Sequence, residues 1–212
     1  MCHISNEMAT VKKKKGKDGA EEKIISAARK LFTEKGYDAV KTRDIAKEAG
    51  INLALLNYYF RSKENLFAII MKENMGQFME VITGIVDNEE TSINEKIEAL
   101  VENYVNILTK NPDMPLFVIS NTKIDDQRMK MRGKFMGSYF MKQINKAMKK
   151  NKIAQMNPAH LMLNIVGLTI FPFVARRMFQ SANGMTEEMF AQLMQERKEM
   201  VPKWIEAMLE VK

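Results

Sequence analysis

An all-α fold of about nine helices is what this 212-residue sequence predicts, and three observations lead there. Breakers are few, with five prolines and ten glycines. The runs between them are long and rich in Leu, Ile, Met, Ala, Glu and Lys, the vocabulary of helices. Apolar residues recur at three- and four-residue spacing, and no alternating strand pattern or internal repeat occurs. A hydrophobic content of 46% against 28% charged residues is that of an ordinary globular protein, so a packed core is within reach.

Residues 1–20 read as a flexible basic arm, with no periodicity, four lysines from Lys12 to Lys15, and glycines at 16 and 19. "EEKIISAARKLFTEKG" then puts Ile24, Ala27, Ala28, Leu31 and Phe32 on one stripe. Glu21 and Glu22 sit at its positive end and Gly36 terminates it. Thr42 suits the cap of a second helix, "RDIAKEA", with Ile45, Ala46 and Ala49 inward. Gly50 ends that helix and Asn52 caps a third. Two short helices joined by a glycine turn within about 18 residues have the spacing of a helix-turn-helix.

From Ser62 a long helix runs to about Val86, and "SINEKIEALVENYVNILTK" forms another, ended by Asn111-Pro112. A shorter one covers about 115–121, and a longer one Asp125 to about Asn151, acidic at its start and basic at its end. Asn157-Pro158 opens an apolar helix that fades near Gln180, and the last helix spans Thr186 to about Leu209.

The net charge of +7 is uneven. Residues 1–65 hold 14 Lys or Arg against 9 Asp or Glu, a balance of +5, which leaves +2 for the remainder. An anionic partner is therefore expected at the first third of the chain. Cys2 is the only cysteine, which rules out an intrachain disulfide and a thiolate metal cluster and fits a reducing compartment. The most apolar stretch, "LMLNIVGLTIFPFVA", has 15 residues and contains Asn164 and Pro172, where a bilayer span needs about 20. A cytoplasmic protein without membrane contact is expected.

Catalysis is not expected. The two histidines, His3 and His160, are isolated, and the sequence has no Gly-rich phosphate loop, nucleophile elbow or paired metal ligands. No cofactor or metal is expected either.

The stretch "AGINLALLNYYFRSKENL" carries the sharpest signal. On a helix, Leu55, Leu56, Tyr59 and Phe60 share one side, and Leu53, Ala54, Asn57 and Tyr58 the other. The second side has no charge, yet it offers a leucine, a small residue, an amide and an aromatic ring. Such a face suits contact with something.

"IISAARKLFTEKGYDAVKTRDIAKEAGINLALLNYYFRSKENLF" closely resembles, without a gap, the N-terminal domain of the tetracycline-repressor (TetR) family of transcription regulators. The likeness rests on Ala27-Ala28, Leu31-Phe32, Gly36-Tyr37, Arg43-Asp44-Ile45-Ala46, Ala49-Gly50, Tyr59-Phe60 and Ser62-Lys63. It implies a basic arm (1–20), a three-helix DNA-binding domain (21–67) and a helical ligand-binding and dimerisation domain (68–212). It implies further that Leu53, Ala54, Asn57 and Tyr58 meet DNA in the major groove, with Tyr58 on a phosphate. Thr42 and Lys63 would each hold a phosphate and Arg43 a base. Thr42 could also serve only as a cap.

This chain departs from the family at the reading positions, with Leu53, Leu55, Asn57 and Tyr58 where many members carry Lys, Thr, Tyr and His. Leu53 and Ala54 suit thymine methyl groups, Asn57 suits adenine and Arg43 guanine. Each half-site is therefore predicted to have A·T pairs at its centre and a flanking G. Selection from a random duplex library checks this, and G·C-rich positions under the third helix would refute it.

By the same resemblance, the last two long helices, about 158–179 and 186–209, pair with their copies in a homodimer that binds a palindromic DNA operator. Phe117, Phe135, Met136, Tyr139, Phe140, Phe171 and Phe173 are candidates to line an apolar pocket for a small-molecule effector, although aromatics at helical spacing are also ordinary core. The functional expectation is a ligand-responsive repressor. The alternatives are a sequence-independent DNA-coating protein and an activator of the same build.

Overall fold

The computed structural model describes residues 4–120 and 135–210, with the side chains of 19–119, 135–182 and 184–210. The described residues form ten α-helices and no strand, as the helical vocabulary predicts. They are α1 (Ile4–Lys35), α2 (Thr42–Glu48), α3 (Leu53–Phe60), α4 (Lys63–Asp87), α5 (Ile93–Lys110), α6 (Met114–Ser120), α7 (Tyr139–Lys149), α8 (Pro158–Val174), α9 (Arg176–Asn183) and α10 (Glu187–Leu209). The chain divides into two compact units, Met1–Met75 and Gly76–Lys212. The expected boundary at 67/68 falls inside α4, whose first half belongs to unit 1. Phe67 packs edge-on against Phe32 at 5.2 Å, and Arg29 donates to Glu73 and Asn74 at 2.7 and 3.2 Å.

In unit 1 the predicted stripe of Ile24, Ala27, Ala28, Leu31 and Phe32 is buried, and α2 packs on both α1 and α3. The structure carries α1 back to Ile4, so the backbone of residues 4–20 is helical. Lysine is a good helix former and no proline interrupts the run, while Gly16 and Gly19 cost only about 1 kcal/mol each against alanine.

In unit 2, α5 is central and packs against α7, α8 and α10. Its inner face buries Ile97, Leu100, Val101, Val105 and Leu108, and Ser92 and Glu95 close a capping box at its start. Two expected helices differ. The one expected over 125–151 is broken in its described part: residues 135–136 are helical, the chain turns at 137–138, and a new helix starts at Tyr139, where Ser138 caps and accepts from Met141 N–H. Positions 125–134 lie outside the described residues.

The helix expected to fade near 180 ends at Val174, and α9 leaves it at 52°. Pro172 explains the break. It lacks the N–H that would reach the Leu168 carbonyl, and its ring crowds that carbonyl; the turn follows at Ala175, with φ −87° and ψ 2°. Arg197 of α10 donates to the vacated Leu168 oxygen, which makes the proline gap a docking point between helices. Arg197→Met is expected to cost about 1–3 kcal/mol. The cost should shrink in a Pro172→Ala background, where an alanine N–H returns to Leu168, and urea unfolding of the four proteins measures that coupling.

The outer side of α8 exposes Leu163 and Phe171, and that of α10 exposes Met189, Leu193, Met200 and Trp204. Among the described residues, no single helix is long and apolar enough to cross a membrane.

Candidate nucleic-acid interface

Gly50 turns the chain between α2 and α3 at φ 67°, a left-handed conformation that side chains disfavour. Asn52 then caps α3, its side-chain oxygen accepting from Leu55 N–H at 2.7 Å. The cap of α2 differs from expectation. Lys41 holds the cap position, with its N–H donated to the Asp44 carboxylate at 3.1 Å, and Thr42 is the first helical residue. The reason is local: an acid three residues after Lys41 satisfies the cap backbone, so the Thr42 hydroxyl is not the capping group.

α3 is two-faced. Leu56 and Phe60 are buried at 0% and 4% exposure beneath it, and Leu55 and Tyr59 are half-buried. Ala54, Asn57 and Tyr58 face outward, Tyr58 at 67% exposure, and Leu53 is half-buried at the rim. The Tyr58 ring stands edge-on to Tyr59, 5.5 Å between centroids. Near the start of α2, Arg43 is exposed. The acids that share its helix are engaged elsewhere, Asp44 at the cap and Glu48 with Lys30 at 2.7 Å. That pair lowers the Glu48 pKa and raises that of Lys30, through their hydrogen bond and then their mutual attraction.

Lys63 has a role that the sequence did not suggest. Its ammonium donates to the carbonyls of Tyr37 and Val40, both at 3.0 Å, and lies 4.1 Å from the centre of the Tyr37 ring. It fastens the α1–α2 loop to the start of α4. Tyr37 completes the joint by stacking on Phe67 at 4.4 Å and donating its hydroxyl to Glu64 at 3.1 Å. Burial, aided by that bond, raises the Tyr37 pKa to about 12. The Glu64 carboxyl is held down by backbone N–H, the Ser62 hydroxyl and Tyr37.

The seven pocket candidates differ in burial. Phe140 and Phe173 are core, at 0% and 3% exposure, edge-on to Phe135 at 6.5 Å and to Phe190 at 5.5 Å. Phe171 and Met136 face outward, whereas Phe117, Phe135 and Tyr139 are half-buried. Residues two positions apart on a helix point about 200° apart, which is why Phe171 and Phe173 part company. A groove of about 620 Å³ in unit 2 lies between α5 and α10, with walls both polar and apolar that include Asn94, Ile97, Glu98, Glu102, Lys198 and Pro202. Among the described residues, no three His, Cys, Asp or Glu side chains are grouped to hold a metal ion.

Residues 24–70 match the family of "Bacterial regulatory proteins, tetR family". The chain is 25% identical over 166 residues to a Bacillus subtilis (strain 168) protein described as "Probable HTH-type transcriptional regulator YttP", a match covering 74% of this chain and 79% of that one. It is 28% identical over 111 residues to the fatty acid metabolism regulator protein of the same organism, covering 52% of this chain and 56% of that one. Among solved structures, a TetR/AcrR-family transcriptional regulator from Thermobifida fusca YX-ER1 shares the fold. Its TM-score is 0.60 at 20% identity, with 86% of this chain and 96% of that one covered.

Proposed function

We propose that this chain, whose residues 24–70 match the tetR family of bacterial regulatory proteins, is a dimeric, ligand-responsive repressor of that kind that reads a palindromic operator through α3. The observation that carries the reading is the outward face of α3. Ala54, Asn57 and Tyr58 are exposed while Leu56 and Phe60 anchor the helix from beneath. A small residue, an amide and a ring on a rigid helix suit a major groove, where methyl groups and adenine edges are presented. Thr42 and Arg43, in the first turn of α2, add a hydroxyl and a free cation for the flanking backbone and a guanine.

The dimer face is formed by the apolar outer sides of α8 and α10, Leu163 and Phe171 with Met189, Leu193, Met200 and Trp204. A two-fold pair in which these residues are covered would set two reading helices about 34 Å apart, one turn of DNA. A small-molecule effector acts on such a pair only through a difference in affinity between its DNA-compatible and DNA-incompatible forms. Base reading is favoured over sequence-independent coating because the outward side of α3 carries Asn57 and no cation between Leu53 and Phe60. Coating alone needs only charge.

The test is a titration of purified protein onto a library-selected duplex, against scrambled competitor, at several salt concentrations. A specificity ratio of about 10³ or more, with two protomers per site, supports the reading. Equal and steeply salt-dependent binding to both duplexes would favour the coating protein.

A further inference from the structure

The strained turn that ends α3 carries a cation. Arg61 has φ 61° and ψ −41°; its N–H donates to the Asn57 carbonyl at 2.9 Å, and Ser62 N–H reaches back to the Phe60 carbonyl at 2.6 Å. A bond from one residue to the second before it, closed around a positive φ, is the rare and strained form of the γ-turn. Glycine adopts positive φ without penalty, whereas arginine does so at a cost. Among the described residues, the other left-handed turns at 36, 50 and 184 are glycines, and Asn151 is the only other exception.

The position explains why an arginine is worth keeping there. Ala54, Asn57 and Tyr58 form the outward stripe of α3, and Arg61 caps the helix at its C-terminal end. Arg61 is exposed, whereas the nearby Lys63 is half-buried and donates to two loop carbonyls. The geometry points to Arg61 as a DNA-backbone contact that holds the C-terminal end of the reading helix on a phosphate. This rests on α3 being the DNA-facing helix, but not on its reading bases. A guanidinium pairs with phosphate oxygens through two parallel hydrogen bonds.

The test uses the full chain with Arg61→Gln, Arg61→Lys and Arg61→Gly, each titrated onto the selected operator and onto a random duplex over a salt series. Arg61→Gln keeps the strain and removes the charge. Its salt slope is expected to fall by about 1 per protomer on both duplexes, with weaker affinity. Arg61→Lys keeps strain and charge and is expected to bind within about threefold of wild type with the slope intact. Arg61→Gly is expected to raise the unfolding midpoint, through relief of strain, while losing the same slope as the glutamine variant. A glutamine or glycine variant with the wild-type slope would overturn the proposal, as would a lysine variant that loses as much as glutamine. If wild type binds both duplexes equally but Arg61→Gln still loses slope, base reading fails and the phosphate contact stands.

Discussion

Asn57→Ala is expected to weaken operator binding by about 2–6 kcal/mol, roughly 30-fold to 10⁴-fold, with no measurable loss of stability. An asparagine amide pairs with adenine through both N7 and the N6 amino group, and one such pair contributes about 1–3 kcal/mol of discrimination. A dimer on a palindrome makes the pair twice. Asn57 is exposed on α3, while Leu56 and Phe60 hold the helix in place from the other side. An exposed substitution away from caps and core stays within about 0.5 kcal/mol of wild-type stability. Isotherms for the operator and a chemical denaturation curve for each protein separate the two quantities. A variant that bound as tightly as wild type would remove Asn57 from the reading face.

Phe140→Ala is expected to destabilise the protein by about 3–5 kcal/mol. The ring is fully buried at the first turn of α7, and its helix packs against α5 and α8. Truncation therefore leaves a cavity among close-packed helices. A phenylalanine lining an open effector pocket behaves otherwise, because its removal enlarges space that is already empty. Denaturant unfolding decides, and a loss below about 1 kcal/mol would return Phe140 to the list of pocket residues. Met136→Ala serves as the control, since that side chain is exposed and is expected to cost almost nothing.

Much of unit 1 was legible in the sequence because its signals are local. The apolar stripe of α1, the turn glycine at 50 and the Asn52 cap each act within a few residues, and the two faces of α3 follow from helical spacing alone. What was not legible rests on contacts between residues distant in the chain or on a backbone angle that residue type does not reveal. Lys63 looks like any first-turn lysine until the loop carbonyls of Tyr37 and Val40 are seen beside it. Arg61 gives no hint of a positive φ, since nothing in an Arg-Ser pair demands it. Thr42 lost the cap to Lys41 because Asp44 already served the cap backbone.

In unit 2, helix existence was legible and helix grouping was not. Pro172 was visible as a breaker, yet the break falls at Ala175, and the compensating bond comes from Arg197, 29 positions away from Leu168. Six aromatic residues and Met136 were marked as pocket candidates, but whether such side chains meet depends on helix rotation. Phe171 and Phe173, on one helix, end in different surroundings.

The most direct measurement of the central claim is parallel selection from a random duplex library with wild-type protein and with Asn57→Ala. Wild type is expected to select an inverted repeat with an adenine at one fixed position in each half-site, and the variant a repeat that loses preference at that position alone. Identical preferences for the two proteins, or no repeat for wild type, would contradict the claim that the outward face of α3 reads DNA.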